Sequence, residues 1–382
     1  MNYRTVTLLF LGHLVTDLNQ GALPALLPFL IVEYHLSYTA AGFLVFATNG
    51  ASTVVQPLFG HLADRRTSPW LLPCGIALSG AGMAASGLVP GYGWVCMAVM
   101  LSGIGVAAFH PQGARLVNRV AGDRKATAMS FFGVGGTLGF AIGPALITVS
   151  LLHWGLPGTA ILALPTGLLA ALLAWHLAGA PAEMGGTAPG AGPATETRDA
   201  WGPFARLTGA VIARAILFFG LNTFVPLYWI HVLHQSKAAG AAALTSFALA
   251  SVVGNLFGGR LADRVGPTRV AAAGFCILLP LLPALLVASS APAALAVLVL
   301  IGLTLSTTYS PLIILGQAYL PNHIGLSSGV TLGIAITIGG VATPLLGYVA
   351  DHSGLWATLA TLCLVPLVSA ALMLTLPQPY RS

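Results

Sequence analysis

Charge is what this chain has least of. Of 382 residues only 15 are Lys or Arg and 9 are Asp or Glu, together 6%, against about 25% in soluble domains. With 57% apolar residues and a mean hydropathy of +0.89, there is too little polar surface to cover a water-soluble globule, which excludes a soluble enzyme. Disorder is excluded by the same figures, because disordered chains are poor in apolar residues and rich in charge. Cysteine is scarce as well. Cys74, Cys96, Cys276 and Cys363 lie inside hydrophobic runs, with neither metal-ligand spacing nor a disulfide framework, and read as small buried hydrophobes; no metal and no cofactor are expected. Lysine is limited to Lys125 and Lys237, so there is no phosphate loop to bind ATP. No H-E-x-x-H pair and no paired intramembrane carboxylates occur, which argues against a membrane-embedded enzyme.

Long hydrophobic runs are what the chain has instead. A spanning helix needs about 20 apolar residues, and cutting at charges, Pro-Gly pairs and polar clusters gives twelve segments: 5–31, 39–62, 70–89, 94–116, 126–150, 154–178, 204–231, 239–261, 268–289, 292–316, 326–349 and 355–376. The expected fold is an all-α membrane protein with two six-helix bundles, residues 1–178 and 204–382, joined by a linker over 179–203 rich in Ala, Gly, Pro and Thr. The start Met1-Asn2-Tyr3-Arg4 resembles a signal peptide, but the apolar run after it is too long, contains Asp17 and lacks a cleavage site, so it reads as the first span.

Lys and Arg accumulate in cytoplasmic loops. With the N-terminus inside, that side holds Arg4, Arg65, Arg66, Arg115, Arg119, Arg124, Lys125, Arg198, Arg206, Arg260, Arg264, Arg269 and Arg381, which is 13 of 15. Only Lys237 falls outside, and Arg214 lies within a span. Both termini and the linker are therefore expected in the cytoplasm. The formal charge of +6 is topological and calls for no nucleic acid.

The halves match each other at an offset close to 200. Gly60-His61-Leu62-Ala63-Asp64-Arg65 recurs as Gly259-Arg260-Leu261-Ala262-Asp263-Arg264; Phe109-His110-Pro111 matches Tyr309-Ser310-Pro311; Gly139 and Gly143-Pro144 match Gly339 and Thr343-Pro344. Parallel repeats of this kind mark transporters that bind substrate near the bilayer midplane.

These motifs resemble the major facilitator superfamily over the whole chain. Gly259 to Arg269 is similar to its G-x-L-a-D-r-x-G-r-[KR]-[KR] signature, whose first-half copy departs at Arg66-Thr67-Ser68-Pro69. Leu23-Pro24-Ala25-Leu26-Leu27-Pro28 and Gly139 to Pro144 resemble drug/proton antiporter motifs. Three stretches resemble the fosmidomycin-resistance family of efflux proteins: His13-Leu14-Val15-Thr16-Asp17 through Gln20, Phe109-His110-Pro111, and Gln317-Ala318-Tyr319-Leu320-Pro321 through Ile324-Gly325 and Ser328-Gly329. The resemblance implies that Asp64, Arg65, Asp263 and Arg264 hold a cytoplasmic gate. On physical grounds alone they are surface pairs contributing under about 1 kcal/mol.

An ionised side chain at mid-bilayer costs roughly 2.5–3.5 kcal/mol on insertion scales, so a charge kept there needs a partner or a function. Asp17, about 18 Å into helix 1 at 1.5 Å per residue, is the acid deepest in any span; it and His110 are the candidate proton-coupling residues. His13, Asp17 and Gln20 share a helix face by their i, i+4, i+7 spacing. Arg214 lies near the middle of helix 7, with Phe218 and Asn222 extending its face. A guanidinium forks onto carboxylates and phosphonates. The substrate-binding candidates are His13, Gln20, Asn49, Gln56, Arg214, Phe218, Asn222 and Tyr309.

Alternatives stay open at this point. Asp17 and Arg214 also fit a structural pair, and His110 also fits a residue that satisfies the kink at Pro111. Asn49, Thr53 and Gln56 form a polar stripe that suits either a cavity or hydrogen bonds between helices, while Tyr228 and Trp229 suit an aromatic belt better than a ligand contact. The favoured expectation is a monomeric transporter of the bacterial inner membrane that exchanges protons for a small polar or anionic compound. A proton-coupled uptake permease for an organic anion or sugar is the alternative.

Overall fold

The computed structural model describes residues 1–65, 70–122, 124–178, 198–323, 326–327, 330–331 and 335–378. Its helices are α1 (Tyr3–Tyr34), α2 (Tyr38–Arg65), α3 (Leu71–Ala85), α4 (Tyr92–Val120), α5 (Lys125–Trp154), α6 (Ala163–Ala178), α7 (Trp201–His231), α8 (Lys237–Val265), α9 (Pro267–Val287), α10 (Ala291–Thr307), α11 (Tyr309–Tyr319), α12 (Ala335–Leu362) and α13 (Val365–Leu374). A 3-10 segment, Leu156–Leu162, precedes α6, and another, Pro321–His323, follows α11. No strand occurs among the described residues. Nine helical stretches there are long and apolar enough to cross a membrane. Most of the linker, the stretch Arg66 to Pro69, the pairs Ile324-Gly325 and Ser328-Gly329, Arg381 and the side chains of Asp64 and Arg65 lie outside the description.

Capping explains why some helices begin earlier than hydropathy alone places them. Asn2 Oδ1 accepts from Thr5 N at 3.2 Å, Ser236 Oγ from Ala239 N at 3.1 Å and Ser290 Oγ from Ala293 N at 3.4 Å, each satisfying an orphan amide of a first turn. Three predicted segments are interrupted or merged. The tenth breaks at Thr308, between α10 and α11. The eleventh and twelfth meet inside α12, where Gly354 adopts φ 84°, ψ 164°, a left-handed-side conformation natural to glycine.

The described chain forms two compact units, Met1–Leu36 with Leu44–Gly190, and Ser37–Phe43 with Ala191–Ser382. In lipid no hydrophobic drive brings helices together, and small residues let backbones approach instead. In the N-terminal unit, β-carbons built at Gly135, Gly139 and Gly143 of α5 would overlap the carbonyls of Phe10, Leu14 and Leu18 on α1. In the C-terminal unit Gly339 of α12 meets α7 in the same manner at Ala215 O and Phe219. Gly103 of α4 abuts Thr48 O in the first unit, and Gly302 of α10 abuts Phe247 O in the second. These contacts repeat at an offset near 200, as the sequence repeat does.

Polar side chains find partners across helices in both units. Asn19 Nδ2 donates to Ser79 Oγ at 3.2 Å in the first unit. In the second, Asp351 of α12 accepts from Tyr38 N at 2.7 Å, Thr39 N at 2.9 Å and Thr39 Oγ1, so a carboxylate caps the first turn of α2, where the helix dipole favours negative charge.

Candidate functional site

In the N-terminal unit three titratable side chains converge from two helices. Asp17 on α1 lies between His13, one turn earlier, and His110 on α4. His110 Nε2 stands 2.9 Å from Asp17 Oδ1, and His13 Nε2 stands 3.3 Å from Asp17 Oδ2. Side-chain exposures of 14% for Asp17, 15% for His13 and 27% for His110 leave the group largely enclosed yet open on the His110 side. His110 therefore contacts a carboxylate through Nε2, and α4 continues through Pro111.

The hydrogen bonds fix where protons must sit. His13 Nδ1 lies 2.8 Å from Phe132 O. A carbonyl only accepts, so Nδ1 carries a hydrogen. His13 Nε2 then meets Asp17 across a contact that needs one further proton, held either by the imidazole or by the carboxyl. His13 is also stacked on Phe132, with ring centroids 4.1 Å apart, and meets the His110 ring edge-on at 5.0 Å. Room for the pair comes from Gly136 of α5, where a β-carbon would overlap both His13 Nε2 and Asp17 Oδ2.

One ligand atom from each of His13, Asp17 and His110 lies within 4.8 Å of the others, so the group is sized to gather around a single small cation. Neither the convergence of His110 on Asp17 nor the role of Gly136 is evident in the sequence. The i, i+4 pair His13 and Asp17 was the available signal, and the partner on a distant helix had none beyond its His-Pro motif.

The C-terminal unit carries a cation. Arg214 of α7 donates through Nε to Thr308 Oγ1 at 3.1 Å and to Leu305 O at 3.3 Å, and its Cζ lies 4.8 Å from the centre of the Tyr309 ring, within cation–π range. Tyr309, a separate substrate-binding candidate in the sequence, stands against Arg214 here, and Thr308 adds a contact that the sequence did not single out. Asn222, 2% exposed, donates Nδ2 to Phe218 O at 2.8 Å, and its Oδ1 is buried without a hydrogen-bond partner. Phe218 belongs to a ring cluster with Phe219 and Phe247, at 5.6 and 6.3 Å. Asp17 and Arg214 each find partners inside their own unit.

The remaining candidates are less engaged. Asn49 Nδ2 donates to Val45 O at 2.8 Å and Thr53 Oγ1 to Asn49 O at 2.9 Å, so these groups of the α2 stripe bond their own helix. Gln20 and Gln56 are half-buried. Asp263 and Arg264 are exposed at the end of α8, and the ion pairs seen among the described residues involve neither. Tyr228 and Trp229, expected in an aromatic belt, are only 1% and 2% exposed; they pack inside the protein because α7 is buried along most of its length.

Known proteins agree with this architecture. The family model described as Major Facilitator Superfamily matches residues 9–331. The fosmidomycin resistance protein of Escherichia coli (strain K12) is 28% identical over 386 residues, covering 97% of this chain and 91% of that one. YfnC of Bacillus subtilis (strain 168), an uncharacterised MFS-type transporter, is also 28% identical, over 96% of this chain and 91% of its own. A crystal structure of a bacterial homologue of the human lysosomal transporter Spinster, inward-facing and occupied, superimposes with a TM-score of 0.83 at 17% identity, covering 100% of this chain and 98% of the other; that likeness concerns the fold alone. The chain is a multi-pass membrane protein and belongs to the Major Facilitator Superfamily.

Proposed function

We propose that this transporter exports a small polar or anionic organic compound, of the kind represented by fosmidomycin, from the cytoplasm in exchange for protons. It works as a monomer in the bacterial inner membrane, with both termini and the linker on the cytoplasmic side, where Lys and Arg concentrate. The observation that supports the reading is the His13–Asp17 contact at 3.3 Å: with Nδ1 donating to Phe132 O, a single proton on Nε2 or on the carboxyl would join the two groups. His110 at 2.9 Å from the same carboxylate, and more exposed than either partner, gives that proton a route to water.

Antiport requires that protons and substrate disfavour each other's occupancy, a coupling that is reciprocal. By direct charge a proton at Asp17 and an anion at Arg214 attract each other, so the exclusion that antiport needs comes from the conformational cycle, in which proton and substrate each favour a different state of the carrier. Alternating access then returns the carrier loaded with one cargo or the other. Export is favoured over uptake by the relative named for fosmidomycin resistance.

The test is flux in proteoliposomes with an imposed pH gradient. Fosmidomycin transport in the wild type is expected to follow the gradient, and Asp17→Asn is expected to abolish gradient-driven flux while preserving some substrate exchange. Unchanged gradient-driven flux in the variant removes Asp17 from the mechanism. Flux running with the inward proton flow, and not against it, replaces export by uptake.

A further inference from the structure

We propose that the break between α10 and α11 builds a preorganised oxyanion site in which Thr308 is the positioning residue: it turns Arg214 so that the paired Nη groups face a phosphonate, phosphate or carboxylate end-on. The proposal rests on the reading of Arg214 as a substrate contact and states how that contact is made and for which chemistry.

Three observations converge. First, the Nε edge of Arg214 is already occupied. Thr308 Oγ1 donates its own hydrogen to Leu305 O at 2.7 Å, so its lone pairs face Arg214 Nε at 3.1 Å, and Nε shares Leu305 O at 3.3 Å. Both hydrogen bonds of Arg214 among the described residues use Nε, which leaves the two Nη groups to a ligand. Second, the Tyr309 ring covers one face of the guanidinium, 4.8 Å from Cζ. A ligand is thereby steered into the guanidinium plane, where two parallel N–H···O bonds select an oxyanion over a spherical ion. Third, none of the described acids of this unit is paired with the cation. Of the described acids of this unit, Asp199 holds His323 at 2.8 Å, Asp351 caps α2, and Asp263 is exposed. A largely enclosed guanidinium without a carboxylate favours an anion from solution.

The device is held rigidly. Thr308 is fully buried, and a β-carbon at Gly274 of α9 would stand 2.5 Å from its Cγ2, so the absence of a side chain there seats the Thr308 methyl and fixes the hydroxyl. Thr308 is the last residue before Tyr309-Ser310-Pro311; in the first half the residue before Phe109-His110-Pro111 is Ala108, which has no hydroxyl. The anion-orienting hydroxyl therefore belongs to one half alone.

The experiment is calorimetric titration of purified full-length protein with methylphosphonate, fosmidomycin and chloride, each also as a competitor of the others. Losing a hydrogen bond to a charged group weakens binding roughly ten- to a hundredfold, and that loss is expected for methylphosphonate and fosmidomycin with Thr308→Val, while chloride binding stays within about twofold. Thr308→Ser is expected to retain wild-type affinity, and Arg214→Lys, charged but without the fork, to lose the preference for oxyanions over chloride. Wild-type methylphosphonate affinity in a folded Thr308→Val protein overturns the proposal, as does an equal loss for chloride. If Thr308→Val fails to fold, the Arg214→Lys selectivity decides: unchanged preference for oxyanions overturns it. Binding of methylphosphonate that does not compete with fosmidomycin assigns the site to a free anion and overturns the substrate assignment. Binding is read without a gradient, so absence of proton-driven flux with the oxyanion selectivity intact faults the exchange mechanism and leaves this site standing.

Discussion

The two repeat-related units hold their polar groups in similar frames and give them opposite character. In the N-terminal unit, a residue of the first helix, His13, lies near Phe109 of the fourth, with ring centroids 6.2 Å apart. In the C-terminal unit, Arg214 of α7 lies against Tyr309, the repeat counterpart of Phe109. Around His13 the frame gathers a carboxylate and a second imidazole, groups that exchange protons. Around Arg214 it gathers a hydroxyl, a carbonyl and a ring, none of which takes the guanidinium's charge. On the proposed reading, the repeated scaffold handles protons in one unit and an anion in the other.

This contrast breaks most readily at its charged members. Arg214→Ala is expected to weaken binding of anionic ligands by a hundredfold or more, since removing one partner of a buried charge pair costs about 2–5 kcal/mol, with far less effect on a neutral analogue. Equal losses for both would make Arg214 structural and erase the asymmetry. His110→Ala should have a smaller effect, reducing gradient-driven flux by roughly tenfold, below the roughly 10²–10⁴-fold typical of a positioned proton-transfer group, because His13 still contacts Asp17. Substrate exchange at equal pH should change little, and a parallel fall in both rates would assign His110 to substrate.

The smallest effect concerns the frame. Gly136→Ala puts a methyl against His13 and Asp17 and should lower stability by about 1–3 kcal/mol, the usual cost of overpacking. Gly133→Ala, on the same helix with nothing within 4 Å of its β-carbon, should be neutral or stabilising by up to about 1 kcal/mol. Thermal unfolding of the two variants in detergent checks the difference; equal shifts would remove Gly136 as the space-making residue.

Much of this was legible in the sequence, and the reason is the solvent. In a bilayer every charge is conspicuous, so scanning for charges inside apolar runs isolates Asp17 and Arg214, and hydropathy places most of the helices while reading through the breaks at Thr308 and Gly354. The repeat linked Tyr309 to Phe109 in the same way. What stayed hidden depends on contacts between distant segments. Nothing local reveals that His110 reaches Asp17 from α4, or which of the closely spaced glycines of α5 faces the pair. Thr308 is one hydroxyl among many, and its importance arises from a helix break that hydropathy reads through. The polar stripe of α2 stays ambiguous for a different reason: Asn49 bonds Val45 O on its own helix, a local choice that periodicity does not reveal.

Proton release on substrate binding tests the account most directly. Purified protein in weakly buffered solution with a pH-indicating dye is mixed with fosmidomycin, with no membrane and no gradient. Protons released in proportion to the ligand bound by the wild type, and none released by Asp17→Asn at equal ligand occupancy, are the predicted result. Binding without proton release in the wild type, or equal release by the variant, would contradict exchange through Asp17.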